Sequence, residues 1–344
     1  MKIIIPMAGE GTRLRPHTLN TPKPLISIVG KSILKRLIDN LSFFLENFLI
    51  EEIIYIISYK EKEIEEKLRN ISNEIGIPSI VYFQKKPLGT ADALLQAKNS
   101  LIGPIIISFS DTLFYHKKFN SVDKKFDNII WTKKVKDPNL FGIVQCSLSG
   151  YITNFIEKPK NNISNLAIIG LYYFKDASIL KNELQYYFLK KEDKNKKNGK
   201  EYQLTSVLEN MRKKGIKFFS QEIHEWMDFG NKKKIVSSNS KILALEYKKF
   251  KLIHKESVLK NSLIIHPCYI GKNSTIENSI IGPYVSIGNF SKIENSNINR
   301  SIIQNNSRIR HASFSNSIIG NYTSYIGISK EVDLGDYSMI KEIL

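Results

Sequence analysis

Cysteine is nearly absent from these 344 residues: only Cys146 and Cys268 occur, far apart. That excludes a disulfide framework and a thiolate zinc site, and a reducing, cytoplasmic setting is expected. No apolar run is long enough to cross a bilayer, so no membrane partner is expected. The opening Met1-Lys2-Ile3-Ile4-Ile5-Pro6 is too short for a signal peptide and reads as a first strand. Acidic residues are also in deficit, 33 against 51 Lys and Arg, for a net charge of +18. Such a balance raises nucleic acid as a partner. However, the lysines are spread along the chain, no aromatic–basic alternation is present, and the abundance of Lys, Asn and Ile matches an AT-rich coding sequence. No nucleic-acid partner is expected; anionic small substrates account for the useful charge. An apolar content of 42% is ordinary and permits a full core.

What is present begins at residue 9. After the apolar run at 2–7 comes GEGTRLRPHTLNTPKP, residues 9–24. Ala8, Gly9, Gly11 and Thr12 form a loop in which glycine lets backbone approach a ligand closely. Amide N–H groups in such a loop make an anion cradle. Arg13, Arg15 and Lys23 add positive charge, so the stretch reads as a polyphosphate site. It lacks the third glycine of a dinucleotide fingerprint and the Gly-Lys-Ser/Thr end of a P-loop.

The first two-thirds of the chain alternate strands with helices. Strands are expected at 2–7, 52–59, 79–84 and 105–110, and helices at 33–48, 61–75 and 91–101, with Leu34, Leu37, Ile38 and Leu41 on one face of the first. This rhythm predicts an α/β fold with a mainly parallel sheet. Ligands then bind beyond the carboxyl ends of the strands, where Gly9 to Lys23, Gln84 to Ala91 and Asp111 all fall. Strands follow at 128–135, 142–147, 151–157, 166–174 and 216–223, with a helix near 203–214. The run KKEDKNKKNGK at 190–200 reads as a solvated loop, and 231–250 as a lysine-rich helix.

From residue 256 the period changes. Large apolar residues recur at Val258, Ile264, Ile270, Ile276, Ile281, Ile287, Ile293, Ile298, Ile303, Ile309, Phe314, Ile319 and Tyr325, in steps of five or six. Helices need steps of three and four, and simple strands steps of two. Steps near six predict a β-solenoid of triangular section, about four coils long. Gly271, Gly282, Gly288 and Gly320 follow stacked isoleucines. The expected division is 1–238 catalytic, 239–255 connecting helix, 256–328 solenoid and 329–344 tail.

The residues 9–24 closely resemble the G-x-G-T-R-L-x-P…P-K-P signature of sugar-1-phosphate nucleotidyltransferases. The solenoid resembles the left-handed β-helix of hexapeptide-repeat proteins, and together they resemble the long, glucose-1-phosphate thymidylyltransferase-like type. The resemblance implies a Rossmann-like nucleotidyltransferase domain with a mainly parallel mixed sheet, followed by a left-handed parallel β-helix. It implies that Arg13 and Lys23 are catalytic, neutralising the triphosphate and contacting the α-phosphate. Gln84, Pro87, Gly89 and Thr90 would bind the base, with Ala8, Gly9, Gly11 and Thr12 on the phosphates. Asp111 and Asp228, the latter in Trp226-Met227-Asp228-Phe229-Gly230, would share one Mg²⁺. The family more often has Gly-Asp where this chain has Ser110-Asp111. Gly142, Glu157, Lys158, Asn165, Gly170, Tyr172 and Glu201 would bind the sugar phosphate. Arg15 is a secondary phosphate contact or a solvated side chain.

The implied substrates are an NTP and a sugar 1-phosphate, with dTTP and glucose 1-phosphate as the first pair and GTP with mannose 1-phosphate, or UTP, as the alternatives. Two other classes compete. A bifunctional acyltransferase would need a solenoid histidine, for which His266 and His311 are available. A non-catalytic relative, as among translation-initiation exchange-factor subunits, would be expected to lose Arg13, Lys23 or an aspartate, and this chain keeps them all. The solenoid is expected to mediate assembly or regulation, and a homo-oligomer is expected.

Overall fold

A computed structural model describes residues 1–41, 44, 48–115, 125–161, 163–195 and 201–328. The tail at 329–344, part of the 33–48 helix and part of the 190–200 loop lie outside the described residues. The chain forms two compact units, one of residues 1–26 and 31–235, the other of 27–30 and 236 onward. No helix of the described residues is long and apolar enough to cross a membrane.

The first unit opens with β1 (Lys2–Pro6), α1 (Ile33–Asn40), β2 (Glu52–Ser58), α2 (Glu65–Asn73), β3 (Ser79–Gln84), α3 (Thr90–Gln96) and β4 (Ile105–Ser108). The strands pair in parallel in the order β4-β1-β2-β3, with Ile3 opposite both Ile53 and Ile106. Strands covered on both faces read as continuous apolar runs, which is why these were legible. Ser32 caps α1 by accepting from Lys35 N–H at 3.1 Å, and Leu34, Leu37, Ile38 and Leu41 are all buried, as expected.

The second half adds β5 (Thr112–Tyr115), β6 (Asn128–Lys134), β7 (Gly142–Cys146), β8 (Ile152–Glu157), β9 (Leu166–Phe174), α4 (Ala177–Asn195), α5 (Leu204–Lys213), β10 (Phe219–Glu222), β11 (Glu225–Asp228) and α6 (Lys232–Tyr247). Strand β9 joins the parallel half by pairing antiparallel with β4, Leu171 opposite Ser108. It also pairs with β6 and β7, and the resulting nine-stranded sheet is mixed. Several expected boundaries move. The 105–110 strand stops at Ser108, the 91–101 helix at Gln96, and the 61–75 helix begins as a 3₁₀ turn over Tyr59–Ile64. Helix α4 was not foreseen, and it carries the start of the expected 190–200 loop as helix to Asn195.

In the second unit three parallel sheets stack as the faces of a prism, the architecture of the left-handed β-helix. Three columns of side chains run along it, Leu259-Ile276-Ile293-Ile309-Tyr325, Ile264-Ile281-Ile298-Phe314 and Ile270-Ile287-Ile303-Ile319, with the end members Leu259 and Tyr325 exposed. One expected member is displaced: Val258 pairs with Thr275, and Leu259 heads the first column. Adjacent leucine and valine leave the six-residue count ambiguous by one at the open first coil. Corner positions repeat a positive φ, at Asn261, Asn278, Asn295 and His311, and again at Asn273, Phe290, Asn306 and Tyr322. Asparagine tolerates that conformation better than most residues. Buried serines satisfy the corners: Ser274 Oγ accepts from Ser291 N–H at 3.2 Å, and Ser291 Oγ from Ser307 N–H at 3.2 Å. Residues 27–30 belong to this unit, Gln304 Nε2 donating to the Ser27 carbonyl at 2.9 Å.

Candidate active site

The chain leaves β1 buried and turns at once through the glycine loop. Gly11 takes φ +61, and a Cβ there would stand 3.0 Å from the Thr18 methyl. Thr18 Oγ1 in turn donates to the Gly11 carbonyl at 2.8 Å, closing the loop on itself. The loop leads into a 3₁₀ turn, Thr12–Leu14, rather than an α-helix. A Cβ on Gly9 would meet nothing within 4 Å, and Gly9 lines a cavity described next.

Two cavities meet along the carboxyl edge of the sheet. One, of about 420 Å³, is lined by Ala8, Gly9, Gly11, Thr12, Lys23, Gln84, Pro87, Gly89, Thr90 and Asp111, the expected nucleotide set. The other, of about 440 Å³, is lined by Arg13, Gly142, Glu157, Lys158, Gly170, Tyr172 and Asp228, again with Thr90 and Asp111. Thr90, Phe109 and Asp111 are common to both. Three expected residues fall elsewhere: Arg13, expected on the triphosphate, lines the second cavity and not the glycine-loop one. Glu201, expected with the second set, lines the glycine-loop cavity. Asn165 lines neither, and its carbonyl takes the Val135 N–H at 2.9 Å. Arg15 lines neither as well and reaches Glu10 at 3.8 Å. A larger cavity, about 630 Å³, is lined by Asn128, Lys175 and Phe219 among others. It lies at the opposite strand ends and holds none of the motif residues, so size alone does not mark the site.

Asp111 and Asp228 come together through β5 and β11, an antiparallel pair that places Asp228 opposite Thr112. Phe229 N–H donates to the Asp111 carbonyl at 3.3 Å. Each carboxylate holds an ammonium: Lys23 Nζ stands 2.5 Å from Asp111 Oδ2, and Lys234 Nζ 2.5 Å from Asp228 Oδ2. Two carboxylates facing one cavity, each balanced by a flexible cation, are a donor set that fits Mg²⁺, which keeps several waters and needs few protein ligands. Among the described residues no group of three or more His, Cys, Asp or Glu gathers as a metal cage.

In the second cavity Glu157 ends β8 directly opposite Gly142. A Cβ on Gly142 would sit 3.0 Å from Glu157 Oε2, which also takes the Thr205 hydroxyl at 2.7 Å. Lys158 adopts φ +43 and donates its backbone N–H to the Phe141 carbonyl at 3.0 Å. Burial raises the Tyr172 phenol far above its ordinary value, so it enters chemistry only as a neutral group. Lys234, over the Phe141 ring at 4.6 Å, and Thr205 were not foreseen. Only the proximity of Lys234 to the W-x-D-x-G segment hinted at it.

At the base end, Gly89 takes φ +108, and a Cβ there would stand 2.6 Å from the Tyr202 carbonyl. Ala91 N–H donates to that carbonyl, and Tyr202 N–H to Leu88 O, at 2.9 and 2.7 Å. Glycine is therefore demanded by Tyr202. The same pairing delivers Glu201 to this cavity.

The sequence profile described as Nucleotidyl transferase matches residues 2–244. The chain belongs to the nucleotidyl transferase family. It is 33% identical over 199 residues to the mannose-1-phosphate guanylyltransferase catalytic subunit beta of Drosophila pseudoobscura pseudoobscura, covering 56% of this chain and 52% of that protein. It is 31% identical over 251 residues to the bifunctional protein GlmU of Methanococcus maripaludis, covering 71% of this chain and 54% of that one. The chain thus spans about half the length of these curated relatives. A crystal structure of a Bacillus anthracis protein assigned as a glucose-1-phosphate thymidylyltransferase superposes with a TM-score of 0.58 at 23% identity, over 70% of this chain and 94% of that one. At that identity the likeness concerns the fold.

Proposed function

We propose that this protein transfers a nucleotidyl group from an NTP to a sugar 1-phosphate and releases pyrophosphate, with dTTP and glucose 1-phosphate as its substrates. The observation that carries the reading is the meeting of the glycine-loop cavity and the Glu157 cavity at Asp111. A phosphate oxygen of the sugar 1-phosphate attacks the α-phosphorus; that P–O bond forms as the bond to the β-phosphate oxygen breaks, and its electron pair leaves with pyrophosphate. The protein's work is positioning and charge neutralisation. Loop amides hold the triphosphate, and Arg13 neutralises charge from the Glu157 cavity that it lines. Lys23 follows the α-phosphate, Lys158 binds the sugar phosphate, and Glu157, oriented by Thr205, accepts from sugar hydroxyls. Mg²⁺ held by Asp111 and Asp228 would neutralise charge on the α-phosphate. The solenoid serves assembly or regulation in a homo-oligomer.

The amide oxygen of Gln84 supports a base with a ring N–H, as thymine has. Guanine and uracil also carry one, and the similarity to a mannose-1-phosphate guanylyltransferase subunit supports GTP with mannose 1-phosphate as the second reading. Pyrophosphate release with Mg²⁺ is to be measured across dTTP, UTP, GTP, CTP and ATP, each against glucose, mannose, galactose and N-acetylglucosamine 1-phosphates. One dominant dTTP–glucose pair is expected. Dominance of GTP with mannose 1-phosphate selects the second reading, and silence of folded protein across the grid rejects the activity.

A further inference from the structure

Gln84 ends β3 and is 4% exposed, with its side chain on the nucleotide cavity. Its Nε2 donates to Asp92 Oδ2 at 2.7 Å and to the Gly89 carbonyl at 3.1 Å. A primary amide has two N–H donors, and both are spent. Both partners are pure acceptors, so the nitrogen and not the oxygen must face them. Among the described residues nothing donates to Oε1. Asp92, on the first turn of α3, is 7% exposed and pairs with no cation among the described residues. Its second oxygen takes Gln96 Nε2 at 3.2 Å. Burial pushes its carboxyl above the usual range, against the lowering effect of its bonds from Gln84 and Gln96.

We propose that Asp92 is a positioning residue for base selection: it locks the Gln84 amide so that only a hydrogen-bond acceptor faces the base. The cavity then favours bases with a ring N–H (thymine, uracil, guanine) over cytosine and adenine, whose ring nitrogens at the pairing edge are themselves acceptors. Facing acceptors repel, and a site built around one hydrogen bond rejects the analogue lacking it strongly. The inference rests on Gln84 binding the base, as in the proposed function.

The test is the ratio of kcat/KM for the enzyme's best nucleotide to that for CTP, in wild type, Asp92→Ala, Asp92→Asn and Gln84→Ala, each checked by thermal melting. In Asp92→Ala the amide keeps only its longer bond to the Gly89 carbonyl, so it can turn its nitrogen to cytosine, and the ratio is expected to fall at least tenfold. A merely structural role would lower all nucleotides alike and keep the ratio. Asp92→Asn keeps an oxygen for Gln84 and is expected to retain the wild-type ratio. A fall of less than tenfold in Asp92→Ala overturns the proposal, as does an equal fall in Asp92→Asn. Should Asp92→Ala not fold, Asp92→Ser carries the same expectation. Gln84→Ala separates the two levels: an unchanged ratio there rejects the base contact itself, whereas a collapsed ratio there with Asp92→Ala unmoved rejects only the lock.

Discussion

The α/β unit and the solenoid use hydrogen bonds of opposite reach. In the α/β unit two bonds of the site join residues remote in sequence, Lys23 with Asp111 across 88 positions and Thr205 with Glu157 across 48. In the solenoid the serine and asparagine bonds recur at 16 or 17 positions, coil after coil. Each functional residue in the first unit occurs once. Each structural residue in the second has counterparts above and below it. A one-dimensional stack spreads a defect over its neighbours, whereas a unique site loses its chemistry at a single position.

The sharpest way to break that contrast is Lys23→Ala. Lys23 is proposed to follow the α-phosphate, so kcat is expected to fall more than about tenfold, ~1.4 kcal/mol, with the melting temperature little changed. A smaller fall would contradict its uniqueness. A comparable effect, on stability instead of rate, is expected of Ile293→Ala, at the middle of its column and fully buried. It is expected to cost about 2–5 kcal/mol of local stability, read by hydrogen exchange as lost protection in the coils of Ile276 and Ile309. Protection lost in the middle coil alone would deny that neighbours share the defect.

The smallest effect concerns pH. Burial, and secondarily Lys232, lower the His17 pKa below its ordinary 6.5. The unfolded chain then binds more protons than the native one between that lowered value and 6.5. Stability is therefore expected to fall as pH drops through this window and to be flat in this respect above 6.5. His17→Gln should remove the slope in a comparison of melting curves from pH 7 to pH 5; an unaltered slope assigns it elsewhere.

How legible each unit was follows the same contrast. The parallel strands announced themselves because strands buried on both faces are unbroken apolar runs, and the column isoleucines because their spacing fits no other element. Strands β5 and β11 did not, because a short antiparallel pair of four residues each carries little periodicity. Helix α4 had a signal, Ala177, Leu180, Leu184 and Tyr187 at helical spacing, diluted by the lysines that follow. The motifs located Lys23, Asp111 and Asp228, yet Lys234, Thr205 and Asp92 are defined only by what they touch. Glu201 was misplaced for the converse reason: its position is set by Tyr202 pairing with Leu88 and Ala91, which no local pattern encodes.

The corners of the prism vary in length. Successive coils advance by 17 residues from Cys268 to Val285, then by 16 from Ser286 to Ile302. In a flat sheet, a one-residue deletion inside a strand turns every following side chain to the wrong face. Here the corner between Ile298 and Ile302 absorbs the missing residue, and the columns above it remain in register. The solenoid can therefore accept single-residue insertions and deletions at its corners while its faces stay fixed, which makes corner loops the natural places to engineer length, tags or new binding segments.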